Sequence, residues 1–338
     1  MSICITTAGF LLDGYFLYEW VKTCKEILRG KKTDETQFSL LYALDDADSW
    51  DDESKWIKAN PALHTIVSID YLRDEVQSAK NQPSLEYGVK TKLMNMFCQS
   101  NNTWLSNEII KSSMDSIEMS SFTNKEYVWA GIDLSSTMDL TCFTLMWKPN
   151  PSRKIYADKY IFKTWCYVSE YGMNNSPNRS LYKHWIDNGW LRLIEGNVID
   201  YDIIMNDILD QKQYVRYDTL GYDKFNASQF VINCDKKGLP MQPFSQTLGA
   251  FNQPTKEFER ILLSGQVIID YNPLVLWAFN NVSLAIDTKT ENIKPDKPTK
   301  EAKIDPVITI IESLGTYLYS QGIIGSGDTE IYTGPSKS

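Results

Sequence analysis

The sequence predicts an α/β fold: one mixed sheet with helices on both faces, preceded by a mostly helical segment. Three observations point there. The 338 residues are 43% hydrophobic and 12% aromatic, enough to bury a sizeable core in one large domain or two smaller ones. Beyond Lys125 the chain becomes rich in β-branched and aromatic residues, in consecutive runs separated by turn formers such as Pro149, Asn150 and Pro151. Behind those runs helical and strand-like patterns alternate, and an antiparallel meander followed by alternating elements folds into one mixed sheet.

Residues 1–120 read as mostly helical, because the stretches 15–28 and 69–80 place apolar residues at three- and four-residue intervals. Between them lies the acidic stretch DDADSWDDESKWIKANPAL. Its Asn60-Pro61 pair disfavours helix at Asn60, so a loop holding a short helix that ends there is expected. Its carboxylates read as a solvated face rather than a metal site. Residues 121–320 form the main body, starting with the strands EYVWAGIDLS, DLTCFTLMWKPN and KIYADKYIF. A helix over 202–211, a strand over 218–222, a helix over 227–236, a strand near 241–244 and a helix over 255–263 follow. The last long helix is expected over 306–319. There Val307, Ile310, Ile311, Leu314 and Leu318 make an apolar stripe, Pro306 suits a first turn, and Asp305 falls at the N-cap. The Gly- and Ser-rich residues 321–338 read as a flexible tail.

No run of eighteen apolar residues occurs, and the start MSICITTAGF lacks the pattern of a signal peptide, so neither membrane insertion nor secretion is expected and the protein is placed in a cytoplasm. The six cysteines are scattered without a C-x-x-C pair, and His64 and His184 are the only histidines, so reduced, buried thiols are expected in place of a zinc site. A net charge of -9 argues against a protein that coats nucleic acid by global attraction; any DNA contact must be local.

Three aspartates stand at structural punctuation marks. Asp133 ends the first β run, Asp223 ends the strand-like DTLGYD, and Asp305 precedes the last helix. Taken singly, each reads as a turn or helix cap. Taken together, adjacent strands ending in Asp would place two carboxylates side by side at one sheet edge, where a third from a helix can join them. Like charges that close repel unless a cation sits between them. Oxygen ligands without a histidine cluster select Mg²⁺ or Mn²⁺, and two such ions roughly 3.5–4 Å apart are the usual device for in-line phosphodiester hydrolysis.

The phrases GIDLSSTMDLT, GYDKFNASQF, QTLGAFNQPTKEFERILLSGQ with the following NPLVLWAFNNV, and AKIDPVITIIESLG resemble the nuclease domain of the large terminase subunits of tailed bacteriophages, in order and spacing over nearly the whole chain. The resemblance implies an RNase H-like fold, with Asp133, Asp223 and Asp305 as the catalytic triad holding two Mg²⁺ or Mn²⁺ ions; Asp139, in the first motif, reads as a turn or supporting residue, with metal ligation as the alternative. It implies an endonuclease that cuts concatemeric double-stranded DNA in the bacterial host cytoplasm, with the small terminase subunit and the portal protein as partners. The segment ITTAG at 5–9 is similar to the motif behind the Walker B strand of the family's ATPase domain, and KTKLMNMFCQSNNTWLS at 90–106 to the segment joining ATPase to nuclease. Residues 1–120 therefore read as the end of an ATPase domain and its linker. No G-x-x-x-x-G-K-[ST] occurs, so this chain alone is not expected to hydrolyse ATP. A truncated or split reading frame accounts for that departure, with a separate ATPase polypeptide as the alternative.

Residues 289–303 contribute Lys289, Lys294, Lys297, Lys300 and Lys303 against Glu291, Asp296 and Glu301. A solvated loop is the plain reading. Immediately before Asp305, and with Lys224 beside Asp223, these lysines are expected to form a mobile positive edge that holds phosphates without reading bases. Two other functions use the same residues. A transposase- or integrase-like strand transferase shares the three-carboxylate site, and the ITTAG and joining segments speak against it. An inactive remnant or docking piece of a packaging motor is the other, and the three intact aspartates speak against that.

Overall fold

The computed structural model describes residues 4–9, 15–45, 48–81, 83–97, 104–122, 125–135, 137–223, 228–287, 290–298 and 302–324. The chain divides into two compact units, residues 1–101 and 102–338.

The first unit carries helices α1 (Tyr15–Leu28), α2 (Ile69–Asn81) and α3 (Pro83–Gly88), with a small core that includes Leu44, Trp56, Leu72, Val76, Val89 and Met94. A short 3-10 helix, Glu53–Lys58, ends before Asn60, whose side chain donates to the carbonyls of Trp56 and Leu93 and anchors the break. The acidic stretch is ion-paired at the surface: Lys58 bridges Asp45 and Asp48, Arg73 holds Glu53, and Lys80 holds Asp51.

The strands of the second unit are β1 (Met114–Asp115), β2 (Tyr127–Asp133), β3 (Thr141–Trp147), β4 (Tyr160–Ser169), β5 (Arg192–Ile194), β6 (Arg216–Tyr222), β7 (Met241–Pro243), β8 (Val267–Asp270), β9 (Ser283–Ile286) and β10 (Ile293–Asp296). Its helices are α4 (Asn107–Ser112), α5 (Glu170–Asn175), α6 (Arg179–Asp187), α7 (Tyr201–Asp210), α8 (Ser228–Lys236), α9 (Leu248–Leu263), α10 (Pro273–Asn280) and α11 (Asp305–Ser320). The main sheet runs β1-β8-β4-β3-β2-β6-β7, with β5 also paired to β4; β9 and β10 form a separate hairpin. The meander β2-β3-β4 is antiparallel, as expected, and β6 and β8 join its two sides in parallel.

Helices cover both faces. Thr144 on β3 faces α11, where its hydroxyl meets those of Thr164 and Thr309 at 2.8 and 2.7 Å. Its neighbours Phe143 and Leu145 point the other way, into a core shared with Ile204 and Ile208 of α7 and Phe230 and Cys234 of α8. α11 runs opposite to β2: Trp129, early in the strand, donates to Ser320 at the helix end at 2.7 Å, while Gly131 lies against Thr309 and Ser313. The first turn of α11 therefore stands beside the end of β2.

Several expectations are corrected. The stripe assigned to α11 is too narrow, since Ile308, Thr309, Glu312, Ser313 and Thr316 are buried too, beneath the sheet on one side and α9 and α10 on the other. Asp305 is the first residue of the helix; Ile304 holds the cap position and makes no side-chain cap bond. KIYADK is a turn, with Tyr156 at φ 54°, and β4 starts only at Tyr160 and runs on to Ser169. α9 starts at Leu248 and passes through Pro254. Residues 104–120, the end of the segment read as ATPase remnant and linker, lie in the second unit: β1 pairs with β8, Trp104 donates to Glu259, and Ile117 enters the core. Cys24, Cys142, Cys166 and Cys234 are buried free thiols and Cys4 is an exposed one, whereas Cys98 and the tail from 325 lie outside the described residues. Among the described residues no helix is long and apolar enough to cross a membrane.

Candidate metal centre

β2 and β6 are adjacent and parallel, and their last register pair is Ile132 with Tyr222. The next residue on each is an aspartate, so Asp133 and Asp223 leave one sheet edge side by side. Asp133 still pairs with Cys142 of β3. α11 delivers Asp305 to the same edge. Asp139 comes from the turn between β2 and β3, which is fixed by the Ser135 amide donating to Thr141 Oγ1 at 2.9 Å and the Asp139 amide donating to Ser135 Oγ at 3.1 Å. The ammonium of Lys303, a buried residue, donates to Asp139.

The close approach of α11 depends on missing side chains. Gly131 and Gly221 each lie two residues before an aspartate. A β-carbon at Gly131 would collide with the Thr309 carbonyl oxygen and stand 2.8 Å from the Ser313 nitrogen, and one at Gly221 would collide with the Thr316 hydroxyl.

The electrostatics show four carboxylates confined together. Burial, then Asp305, Asp223 and Asp139, push the Asp133 carboxyl well above the carboxylate range, against a smaller pull from Lys297. Burial and Asp139 push Asp305 up to about 6, offset by its own backbone N–H and by Lys303 and Lys297. Asp305 Oδ2 is buried without a hydrogen-bond partner. A divalent cation answers both conditions, giving the orphaned oxygen a partner and the repelling charges a counterion. The donors at this edge are oxygens, which suits Mg²⁺ or Mn²⁺. Among the described residues no group of three or more such side chains is already placed to hold a metal ion.

Residues 31–321 match the family model of the terminase large subunit, endonuclease domain. The chain belongs to this terminase family. It is 25% identical over 317 residues to Protein YmfN of Escherichia coli K12, covering 92% of this chain and 69% of that one. It is 25% identical to the terminase large subunit of Enterobacteria phage HK97, covering 80% of this chain and 52% of the relative. Lactococcus phage SK1 has a terminase large subunit that is also 25% identical, covering 93% of this chain and 57% of the relative. The crystal structure of the HK97 large terminase superposes with a TM-score of 0.55 at 20% identity, over 88% of this chain and 60% of that one. The shared fold is the RNase H-like mixed sheet, and the terminase chain spans 52% to 69% of the length of these curated relatives.

Asp133, Asp223 and Asp305 lie near one edge of the sheet, with Asp139 in the turn beside it. The lysines behave differently from one another. Lys297 is exposed, and its charge reaches Asp133 and Asp305. Lys294 is half-buried over the Phe251 ring and donates to the Gln246 carbonyl at 2.5 Å. Lys303 is held by Asp139, so neither of these two lies on a free positive edge. Lys224, Lys289 and Lys300 lie outside the described residues. Sequence reading missed Glu312, which lies fully buried on α11. Its one signal was an acid inside the apolar run IIESL, seven residues after Asp305.

Proposed function

We propose that this terminase chain is a divalent-metal-dependent endonuclease that hydrolyses phosphodiester bonds of double-stranded DNA during genome packaging, with Asp133, Asp223 and Asp305 holding two Mg²⁺ or Mn²⁺ ions. The observation that carries the reading is the delivery of three carboxylates to one sheet edge by three separate elements. Ions bound there would supply an activated water and a stabilised leaving oxygen. The protein's own part is placement. β2 and β6 fix Asp133 and Asp223 in register, α11 fixes Asp305, and Lys303 holds Asp139. Lys297 on the open side is suited to meet a phosphate by charge alone, which would give weak sequence preference.

The reading extends to the bacterial cytoplasm as the place of action and to the small terminase subunit and portal protein as partners. ATP turnover is assigned to another polypeptide or to sequence beyond this chain, since no phosphate-cradling glycine loop occurs in it. Supercoiled plasmid incubated with Mn²⁺ provides the test. Nicked and linear products that vanish with EDTA and in Asp223→Asn support an endonuclease. Strand-joined products would favour a transferase, and no product at all would leave a docking role.

A further inference from the structure

Glu312 has no part in the function described so far, yet it is the least comfortable side chain of the second unit. None of its surface is exposed, and neither carboxylate oxygen has a hydrogen-bond partner. A carboxyl group in that state is costly whether charged or neutral, and a methionine or leucine of similar size would pack there without the cost.

Its place in the fold is specific. Glu312 follows Asp305 by seven residues, two helical turns, and so lies on the same helix face. Helical side chains lean toward the helix N-terminus, and that end of α11 carries Asp305 to the end of β2. The glutamate therefore leans toward the aspartates. Beneath it are the two strand positions that lack side chains. A β-carbon at Gly131 would stand 3.1 Å from Glu312 Cβ, and one at Gly221 would stand 3.4 Å from its Cγ. Side chains alternate along a strand, so Gly131 shares a face with Asp133 and Gly221 shares a face with Asp223. The glutamate thus fills the floor immediately behind both aspartates. Burial, then Asp133 and Asp223, push its carboxyl well above the ordinary range.

We infer that Glu312 is a fourth carboxylate of the divalent-cation site, reaching from α11 toward an ion held by Asp133 and Asp223. The inference rests on the metal-site reading above. A hard cation accepts carboxylate oxygens without demanding a hydrogen-bond donor, which is what this buried group lacks.

The test is Mn²⁺ binding to the full chain without DNA, by calorimetry and by electron paramagnetic resonance of the bound ion, for wild type, Asp223→Asn, Glu312→Gln and Glu312→Met. Both Glu312 variants should bind Mn²⁺ at least about tenfold more weakly, with an altered spectrum and a smaller metal-induced rise in Tm. Each rise is read against that variant's own metal-free Tm, so lost packing does not enter. If Asp223→Asn loses Mn²⁺ while both Glu312 variants bind it as wild type does, the inference falls and the metal site stands. If wild type itself binds no Mn²⁺, both fall.

Discussion

Lys303 and Asp139 form an ion pair whose two ends have different surroundings: the lysine side chain is 11% exposed and the carboxylate 46%. The two truncations should therefore differ. Asp139→Asn takes the hydrogen-bonded carboxylate from a largely buried ammonium, leaving it only the more distant charge of Asp305, and should cost about 2 kcal/mol. Lys303→Met leaves a carboxylate that water can reach, and should cost about 1 kcal/mol. Urea denaturation in EDTA measures both, and a larger loss for Lys303→Met would show that the pair is not anchored from the buried side.

The raised carboxyls set a pH dependence with a definite sign. Folded Asp305 titrates at about 6 against 3.8 for the free group, so between these values the folded chain holds the extra proton. Stability is present below the lower value and is lost as pH rises through the upper one. Asp133 and Glu312 are displaced the same way. The urea midpoint of the metal-free protein should fall from about pH 5 to about pH 7.5, and fall less in Asp305→Asn. A midpoint that climbs over this window contradicts the electrostatics.

Asp133→Asn, Asp223→Asn and Asp305→Asn should each reduce Mn²⁺-dependent plasmid nicking to background, and pairs of them should do no further harm, because one unit is being disabled. Asp133→Asn and Asp305→Asn should also raise the metal-free Tm by relieving repulsion. Any single variant that cuts like wild type takes its residue out of the site.

Alanine at the two glycines under α11 separates hard from soft obstruction. Gly131→Ala meets a backbone carbonyl, that of Thr309, and should cost about 2 kcal/mol or more. Gly221→Ala meets the Thr316 hydroxyl, which can rotate away at the expense of its 2.8 Å bond to the Glu312 carbonyl, so the loss should be smaller. Equal losses in thermal melts would mean that the helix, not the side chain, gives way.

Among the described lysines of residues 289–303, Lys297 is the exposed one, so the proposed DNA contact falls to it. Lys297→Gln should weaken binding about equally for unrelated duplexes and flatten the slope of log affinity against log salt by roughly 0.9. Lys294→Gln should leave the slope alone, since its ammonium already serves the Gln246 carbonyl. An unchanged slope for Lys297→Gln places the DNA path elsewhere.

The strand-end aspartates were legible because the apolar run of β2 and the shorter strand-like stretch of β6 each stop at an aspartate. Other elements carried no such period. β1 and β5 are only two or three residues long, and α10 is buried on every side, so PLVLWAFN shows no polar face to set a phase. The expected strand stopped at Phe162, yet β4 runs on through Lys163, whose ammonium is satisfied by Asp270 and by the Ile117 carbonyl, contacts made more than forty residues away. Composition could not separate the lysines of residues 289–303, because burial of Lys303 depends on where the Asp139 turn arrives. Glu312 escaped for the same reason: only the two glycines on distant strands give it a place.

The hydroxyl chain Thr164–Thr144–Thr309 joins β4, β3 and α11 one helical turn below Asp305, and Thr309 also donates to the Pro306 carbonyl at 2.9 Å. Sliding of the helix along its own axis over the sheet would break these bonds. Axial travel of α11 is the motion that would widen or narrow the gap between Asp305 and the strand aspartates. Small and large cations differ by a few tenths of an ångström in their oxygen distances, about 2.0–2.1 Å for Mg²⁺ and 2.3–2.6 Å for Ca²⁺. A cation held as proposed at that edge would therefore meet a gap set in part by three threonines that it would not touch.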